Sequence, residues 1–135
     1  MSVEFHDYSR IILQKINECG ATFLEEVGGE LEAQVKQNTK VDTGKTKGSW
    51  EHVVNEQKME VQVGSRYKNA LWEEFGTGIY AINGDGRKTK WVYKNPNDGK
   101  FYATVGKKPR RALYRAYTSL KNKLIKSAQE RFKRL

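Results

Sequence analysis

The chain has 135 residues, 37% of them hydrophobic and 30% charged, with a net charge of +9. That length holds one domain with a real core and is too short for two, and the polar balance suits a domain that completes its core against a partner. No apolar run approaches the roughly 20 residues of a membrane span, the first residues do not read as a signal peptide, and a single cysteine, Cys19, excludes an internal disulfide framework and fits a reducing compartment.

The excess charge is local. Eleven of the 25 basic residues lie from Lys107 onward, against one acid, Glu130, and everything before Lys107 is close to neutral.

Residues 7–38 read as one long helix. Ile12, Ile16, Cys19, Phe23, Val27, Leu31 and Val35 recur at intervals of three or four, Leu13, Gly20 and Leu24 broaden the stripe, and Glu18, Glu25 and Glu32 fall on the opposite face. Gly28-Gly29 interrupt this helix, each at a cost of about 1 kcal/mol relative to alanine. A bend, a place where another backbone comes close, and a tolerated weak spot all remain open readings. Residues 39–50 are polar and rich in turn formers, which predicts a loop in which Asp42 and Thr43 bond local amides. Gly44-Lys45-Thr46 imitates the end of a phosphate-binding loop. The glycine that motif needs five residues earlier is Thr39 here, and the lead-in is a helix where a buried strand is required.

Two strands follow, residues 50–54 and 59–65, joined by Asn55-Glu56-Gln57-Lys58. Met59, Val61 and Val63 alternate with Glu60, Gln62 and Gly64, the period of a half-buried strand. Residues 67–75 read as a short amphipathic helix, with Leu71 and Phe75 on one side, stopped by Gly76. Trp72 and Phe75 are expected to anchor the point where the next segment leaves the core, with Glu73 and Glu74 turned outward toward a neighbour's basic face. In residues 79–106 a loop around Asn83-Gly84-Asp85-Gly86-Arg87 leads into strands 91–93 and 101–105, separated by the turn signal Asn95-Pro96-Asn97-Asp98-Gly99. The aromatic content of this ribbon suits a β-arm laid on a neighbouring chain, or equally cross-strand packing within the domain. Pro109 is placed to open the last helix, which runs to the C-terminus. Leu113, Tyr117, Leu120, Leu124, Ala128 and Leu135 share one side of it, and Arg111, Arg115, Lys126 and Lys133 form a basic stripe on the other.

The expected fold class is therefore α+β in a single domain, 1–135. It comprises a long helix (1–40), a loop, hairpin and short helix (41–78), a loop and protruding β-ribbon (79–106) and a basic helix (107–135), with both long helices packed on an antiparallel sheet. Catalytic chemistry finds no foothold in this pattern. His6 and His52 are isolated, Cys19 lies near an apolar stripe, and no zinc ligand set emerges. Glu73 and Glu74 are adjacent, so their side chains diverge and make no acid/base pair. Ser49, Ser65 and Thr43 have no base that spacing assigns to them. A non-enzyme is expected, without cofactor or metal. The basic stripe reads as a solvated helix face, as a contact for nucleic acid phosphates, or as a contact for an acidic protein surface, and no base-reading motif accompanies it.

A family pattern runs through this middle section. Val41-Asp42-Thr43-Gly44 followed by Gly48-Ser49-Trp50, then Ala70-Leu71-Trp72-Glu73-Glu74-Phe75-Gly76-Thr77, then Gly106-Lys107-Lys108-Pro109-Arg110-Arg111-Ala112-Leu113 with Ala116, resembles the HK-ninety-seven-type gp-ten-like family of tailed-phage morphogenesis proteins. These are neck, tail-completion or head–tail joining components. The resemblance covers about residues 41–116 and rests on Val41, Thr43, Gly44, Ser49, Trp72, Glu74, Phe75, Gly76, Thr77, Pro109 and Leu113. Lys45-Thr46 departs from the bulky apolar residue common there, Arg111-Ala112-Leu113 replaces a phenylalanine-leucine pair, and Trp91-Val92-Tyr93-Lys94 resembles an insertion of Gram-positive phage versions.

The resemblance implies a structural protein without catalysis. By that resemblance it would form a ring with its own copies, usually a hexamer, at the head-proximal end of a tail, between neck or connector proteins and the tail terminator or tail-tube. Its place would be a virion or phage-tail-like particle assembled in the host cytoplasm, with no membrane. Candidate neighbour- or DNA-facing residues are Glu73, Glu74, Trp91, Tyr93, Arg111, Arg115, Lys126 and Lys133. The acidic first-helix face and basic last-helix face are expected to pair between neighbours, or the basic stripe lines a channel that DNA passes. A free nucleic-acid-binding protein using the last helix is the alternative function.

Overall fold

The computed structural model describes residues 9–41 and 44–134. The expected helix start at Asp7, the amide-bonding roles of Asp42 and Thr43, the motif position Thr43, and His6 and Leu135 lie outside the described residues. Helix α1, Ser9–Asn38, is the spine; at 1.5 Å per residue it is about 45 Å long. Its apolar stripe is covered unevenly. Gly20, Val27, Gly28 and Val35 are buried, whereas Ile11, Ile12, Leu13 and Ile16 are 39% to 59% exposed.

The 39–50 segment is not all loop. Residues Lys45–Gly48 make a single helical turn, α2. Gly44, at φ 82, turns the chain into it, and its carbonyl accepts the Gly48 N–H at 2.9 Å. Burial of Thr46 holds the turn: its hydroxyl accepts from Asn69 Nδ2 at 2.9 Å and its carbonyl from the Ser49 hydroxyl at 2.6 Å.

Strands β1 (Trp50–Asn55) and β2 (Glu60–Ser65) pair antiparallel, Trp50 opposite Ser65 and Asn55 opposite Glu60. Met59 lies outside the strand expected to include it. It sits in the turn at φ 48. Helix α3 (Lys68–Phe75) ends at Gly76, whose φ of 77 suits only glycine comfortably and whose N–H returns to Trp72 O at 2.8 Å. A 3-10 turn, Gly78–Tyr80, follows. Strands β3 (Trp91–Lys94) and β4 (Phe101–Thr104) form a separate two-stranded ribbon, so the chain carries two small sheets. Helix α4 is Ala112–Lys133.

The class is α+β as expected. The detail differs in how α4 is seated: it lies chiefly along α1, while the β1–β2 hairpin also packs on α1. Small residues explain this, since Ala112 and Ala116 are the buried positions of α4 and let the helix axes approach closely. Tyr117, expected on the covered side, is 48% exposed. The core is correspondingly small: Val35, Trp50, Ala70, Ala112 and Ala116, with Val63 and Leu113 at its rim. Trp50 is fixed by its indole N–H, which donates to Thr39 Oγ1 at 3.0 Å, and Thr39 donates in turn to Val35 O at 2.7 Å.

The charge pairing expected between neighbours is partly made inside the chain. Lys123 meets Glu30 at 2.5 Å and Arg131 meets Glu26 at 2.6 Å, tying α4 to α1. The first of these pairs and one side of the second are well exposed, so they orient the helices more than they stabilise them.

Candidate functional site

The motif residues of segments 72–77 and 109–113 meet at one junction, where α3 ends, the ribbon leaves and α4 begins. Glu74 is its centre. It is 4% exposed, its Oε2 accepts the Leu113 N–H at 2.9 Å and its Oε1 the Tyr114 N–H at 3.0 Å. Those are two amides of the first turn of α4 that no residue of the helix can satisfy. The residue at the cap position, Arg111, supplies no side-chain bond of its own. A carboxylate there also faces the positive end of the helix dipole. Glu74 is thus a cap delivered from another helix, and the expected outward, neighbour-facing role is corrected.

Arg111 is corrected with it. Its backbone is left-handed, φ 58, which places the turn into α4 here, two residues beyond Pro109. Pro109 therefore does not open the helix, which begins at Ala112. The Arg111 guanidinium turns back from the expected basic stripe: Nε lies 3.6 Å from Glu74 Oε1, and the group stacks 4.4 Å from the Tyr114 ring centroid. Glu73 is also engaged within the chain. It pairs with Lys107 and, at 3.1 Å, with Arg110, and its carbonyl accepts the Arg110 N–H at 2.7 Å. Thr77 closes the base of the ribbon. Its N–H donates to Lys107 O and its Oγ1 accepts the Lys107 N–H, both at 2.9 Å. Gly76 packs against the Pro109 ring, leaving no room for a Cβ.

Trp72 and Phe75 do not anchor the core. They are 49% and 36% exposed and line an open cleft of about 1010 Å³ between α3 and the ribbon, faced by Leu71, Trp91, Tyr93 and Arg87. Aromatic pairing within the ribbon is present, Tyr93 and Tyr102 stacking 6.0 Å apart. The other ribbon face stays open: Val92 is 65% and Phe101 70% exposed. Of the remaining motif positions, Val41 is 59% exposed and Ser49 accepts a bond from Ser65 Oγ at 2.6 Å, joining α2 to the end of β2.

On α4, Arg115 is exposed but bonded back to the carbonyls of Arg110 (3.0 Å) and Asn38 (3.3 Å). Lys126 and Lys133 are exposed and meet no acid among the described residues. The basic stripe is therefore half consumed by the fold.

One cluster was not foreseen. His52 on β1 lies between two α1 carboxylates, Nε2 at 2.6 Å from Glu25 and Nδ1 at 3.2 Å from Glu32. The hydrogen bond to Glu25 outweighs burial and raises the imidazole's pKa above its usual 6.5. Burial pulls Glu32 upward, yet its bonds from His52 and Lys36 hold it below 4.5. Gly28 makes the cluster possible, because a Cβ there would stand 2.5 Å from the imidazole Cδ2. The signal in the sequence was a glycine on the same helix as two glutamates seven apart. Among the described residues, no group of His, Cys, Asp and Glu has the arrangement of a metal site, and no helix is long and apolar enough to cross a membrane.

Comparison with protein-family models, curated proteins and solved structures finds no match to this chain.

Proposed function

We propose that the chain is a structural component of a tailed-phage or phage-tail-like-particle neck, which assembles with its own copies into a ring, a hexamer by the family pattern, completes the head-proximal end of the tail and joins it to the connector. The observation that carries this reading is the amount of large apolar surface left uncovered around a small core. It lies in the first turns of the described part of α1 (Ile11, Ile12, Leu13), on α3 (Leu71, Trp72) and on the ribbon (Val92, Phe101). Large apolar side chains left exposed in such numbers suit interfaces with other chains. The motif resemblance over residues 41–116 names the kind of assembly. The reading is tested by light scattering of the purified protein, alone and with tail-tube protein. A concentration-dependent ring is expected; a strict monomer that joins neither tails nor particles sinks it.

A second reading rests on the unpaired cations of α4. Lys126 and Lys133, seven residues apart on one face, would neutralise nucleic acid phosphates, in a ring's channel or as a free binder, and such binding weakens steeply with salt.

A further inference from the structure

The two small sheets each bury at most one face, and their open faces are complementary. On the ribbon, Val92, Lys94, Phe101 and Ala103 share a side, since Val92 pairs with Ala103 and Lys94 with Phe101. Lys90, just before β3, continues the same alternation. The sequence along this side is lysine, valine, lysine, with the 70%-exposed Phe101 ring beside them. On the hairpin, β1 sends Trp50, His52 and Val54 inward, so Glu51, Val53 and Asn55 face out, with Val53 57% exposed. Glu60 stands across from Asn55, and Gly64 across from Glu51. Along β1 this side runs Glu51, Val53, Asn55, and on β2 Glu60 stands beside Asn55 and Gln62 beside Val53, so a glutamate lies at each end of the face with valine between them and open space over Gly64.

The spans match. Lys90 to Lys94 covers four residues of extended chain, and Glu51 to the Asn55–Glu60 pair covers another four, about 13 Å in each case. Laid face to face at the roughly 10 Å spacing of packed sheets, two lysines would meet two glutamates, Val92 would meet Val53, and Phe101 would lie over Gly64. Competing charges are few. Arg66 lies 3.4 Å from Glu51, but it is 92% exposed and weakly held. Glu56 and Lys58 in the hairpin turn offset one another, and Asp98 at the ribbon tip is occupied by Tyr102. Two-stranded sheets are marginal by themselves and gain most from a covering layer.

We infer that the open face of the β3–β4 ribbon docks on the outer face of the β1–β2 hairpin of a second copy of this chain. The contact joins two different surfaces, so it is head-to-tail, the kind of contact that makes a ring when the rotation between copies closes. It rests on the ring reading above and specifies the surfaces that make the ring.

The test is sedimentation velocity of the full chain at low and moderate salt, with far-UV circular dichroism on every variant to confirm folding. Lys90→Glu with Lys94→Glu, and separately Glu51→Lys with Glu60→Lys, are each expected to weaken self-association at least about tenfold by setting like charges face to face, and the fourfold exchange is expected to return it to within about threefold of the parent. Loss in both double variants with recovery in the fourfold one supports the contact. Unchanged association in either double variant overturns it while the ring reading stands, including the case in which Lys90→Glu/Lys94→Glu abolishes only duplex DNA binding. Failure of the fourfold variant to recover overturns the pairing. A parent protein that never associates, alone or with purified tails, overturns both readings.

Discussion

At the residue scale, the two adjacent glutamates of α3 show how far composition alone carries. Their adjacency said that they diverge, and they do: Glu73 reaches cations of the ribbon base, Glu74 the start of α4. Which one is buried was not legible, because it depends on where residues 110–114 return, nearly forty positions later. Glu74→Ala removes a two-amide cap and leaves Arg111 facing a void, and is expected to lower the unfolding free energy by about 2–3 kcal/mol in urea denaturation. Glu73→Ala, whose cationic partners are well exposed, is expected to cost about 1 kcal/mol or less. His52 gives a pH signature. Its folded-state pKa is raised, so its contribution is fully present below the ordinary 6.5 and is lost as pH rises through the higher folded value. Glu32 acts with the opposite sign, contributing above 4.5 and fading as pH falls through its lowered value. Thermal unfolding midpoints should therefore decline from about pH 6 to about pH 8 in the parent and decline less in His52→Gln.

At the element scale, α1, the hairpin, α3 and the ribbon were all legible from periodicity and turn residues, with the strand and α3 ends displaced by a residue. Two features were not. The α2 turn is held by Asn69 and Ser49, partners that no local pattern predicts. The start of α4 follows the left-handed Arg111, set by its tertiary surroundings, and not the proline. The glycine pair in α1 resolves into two different answers. Gly29→Ala meets nothing within 4 Å and is expected to stabilise by about 0.5–1 kcal/mol, as alanine does in any open helix position. Gly28→Ala collides with a ring pinned by two carboxylates and with Val61 Cγ2 at 2.8 Å, and is expected to destabilise by about 1–3 kcal/mol. Chemical denaturation of both single variants checks the pair, and equal effects would refute the distinction.

For the whole molecule, lopsided charge was legible and its destination was not. A good part of the basic excess from Lys107 onward is met within the chain by Glu26, Glu30, Glu73 and Glu74. This separates stability from binding. Lys126→Glu with Lys133→Glu is expected to leave unfolding unchanged within about 0.5 kcal/mol. Any salt-sensitive affinity for duplex DNA, read by fluorescence anisotropy, should fall in that variant. Arg111→Glu, by contrast, should lower stability and so cannot serve as a test of nucleic acid contact. The apolar stripe of α1 was likewise read as a single face. Among the described residues its last two-thirds is the covered part, with Met59 and Phe132 over Gly20, while Ile11, Ile12, Leu13 and Ile16 are exposed.

The narrow base of the ribbon has a mechanical consequence. Thr77, Ile79 and the 105–107 backbone exchange short hydrogen bonds there, and Gly78 and Gly106 let the two strands touch without side chains between them. The ribbon is thus held at one end only, by hydrogen bonds at its base. In the ring proposed above, rocking at that clamp would displace the Asn95–Gly99 tip without breaking a bond in the body, and linked copies would share out a mismatch in diameter between the structures they would join. Hydrogen exchange should register it as fast exchange near the tip and slow exchange at Thr77, Ile79 and Lys107.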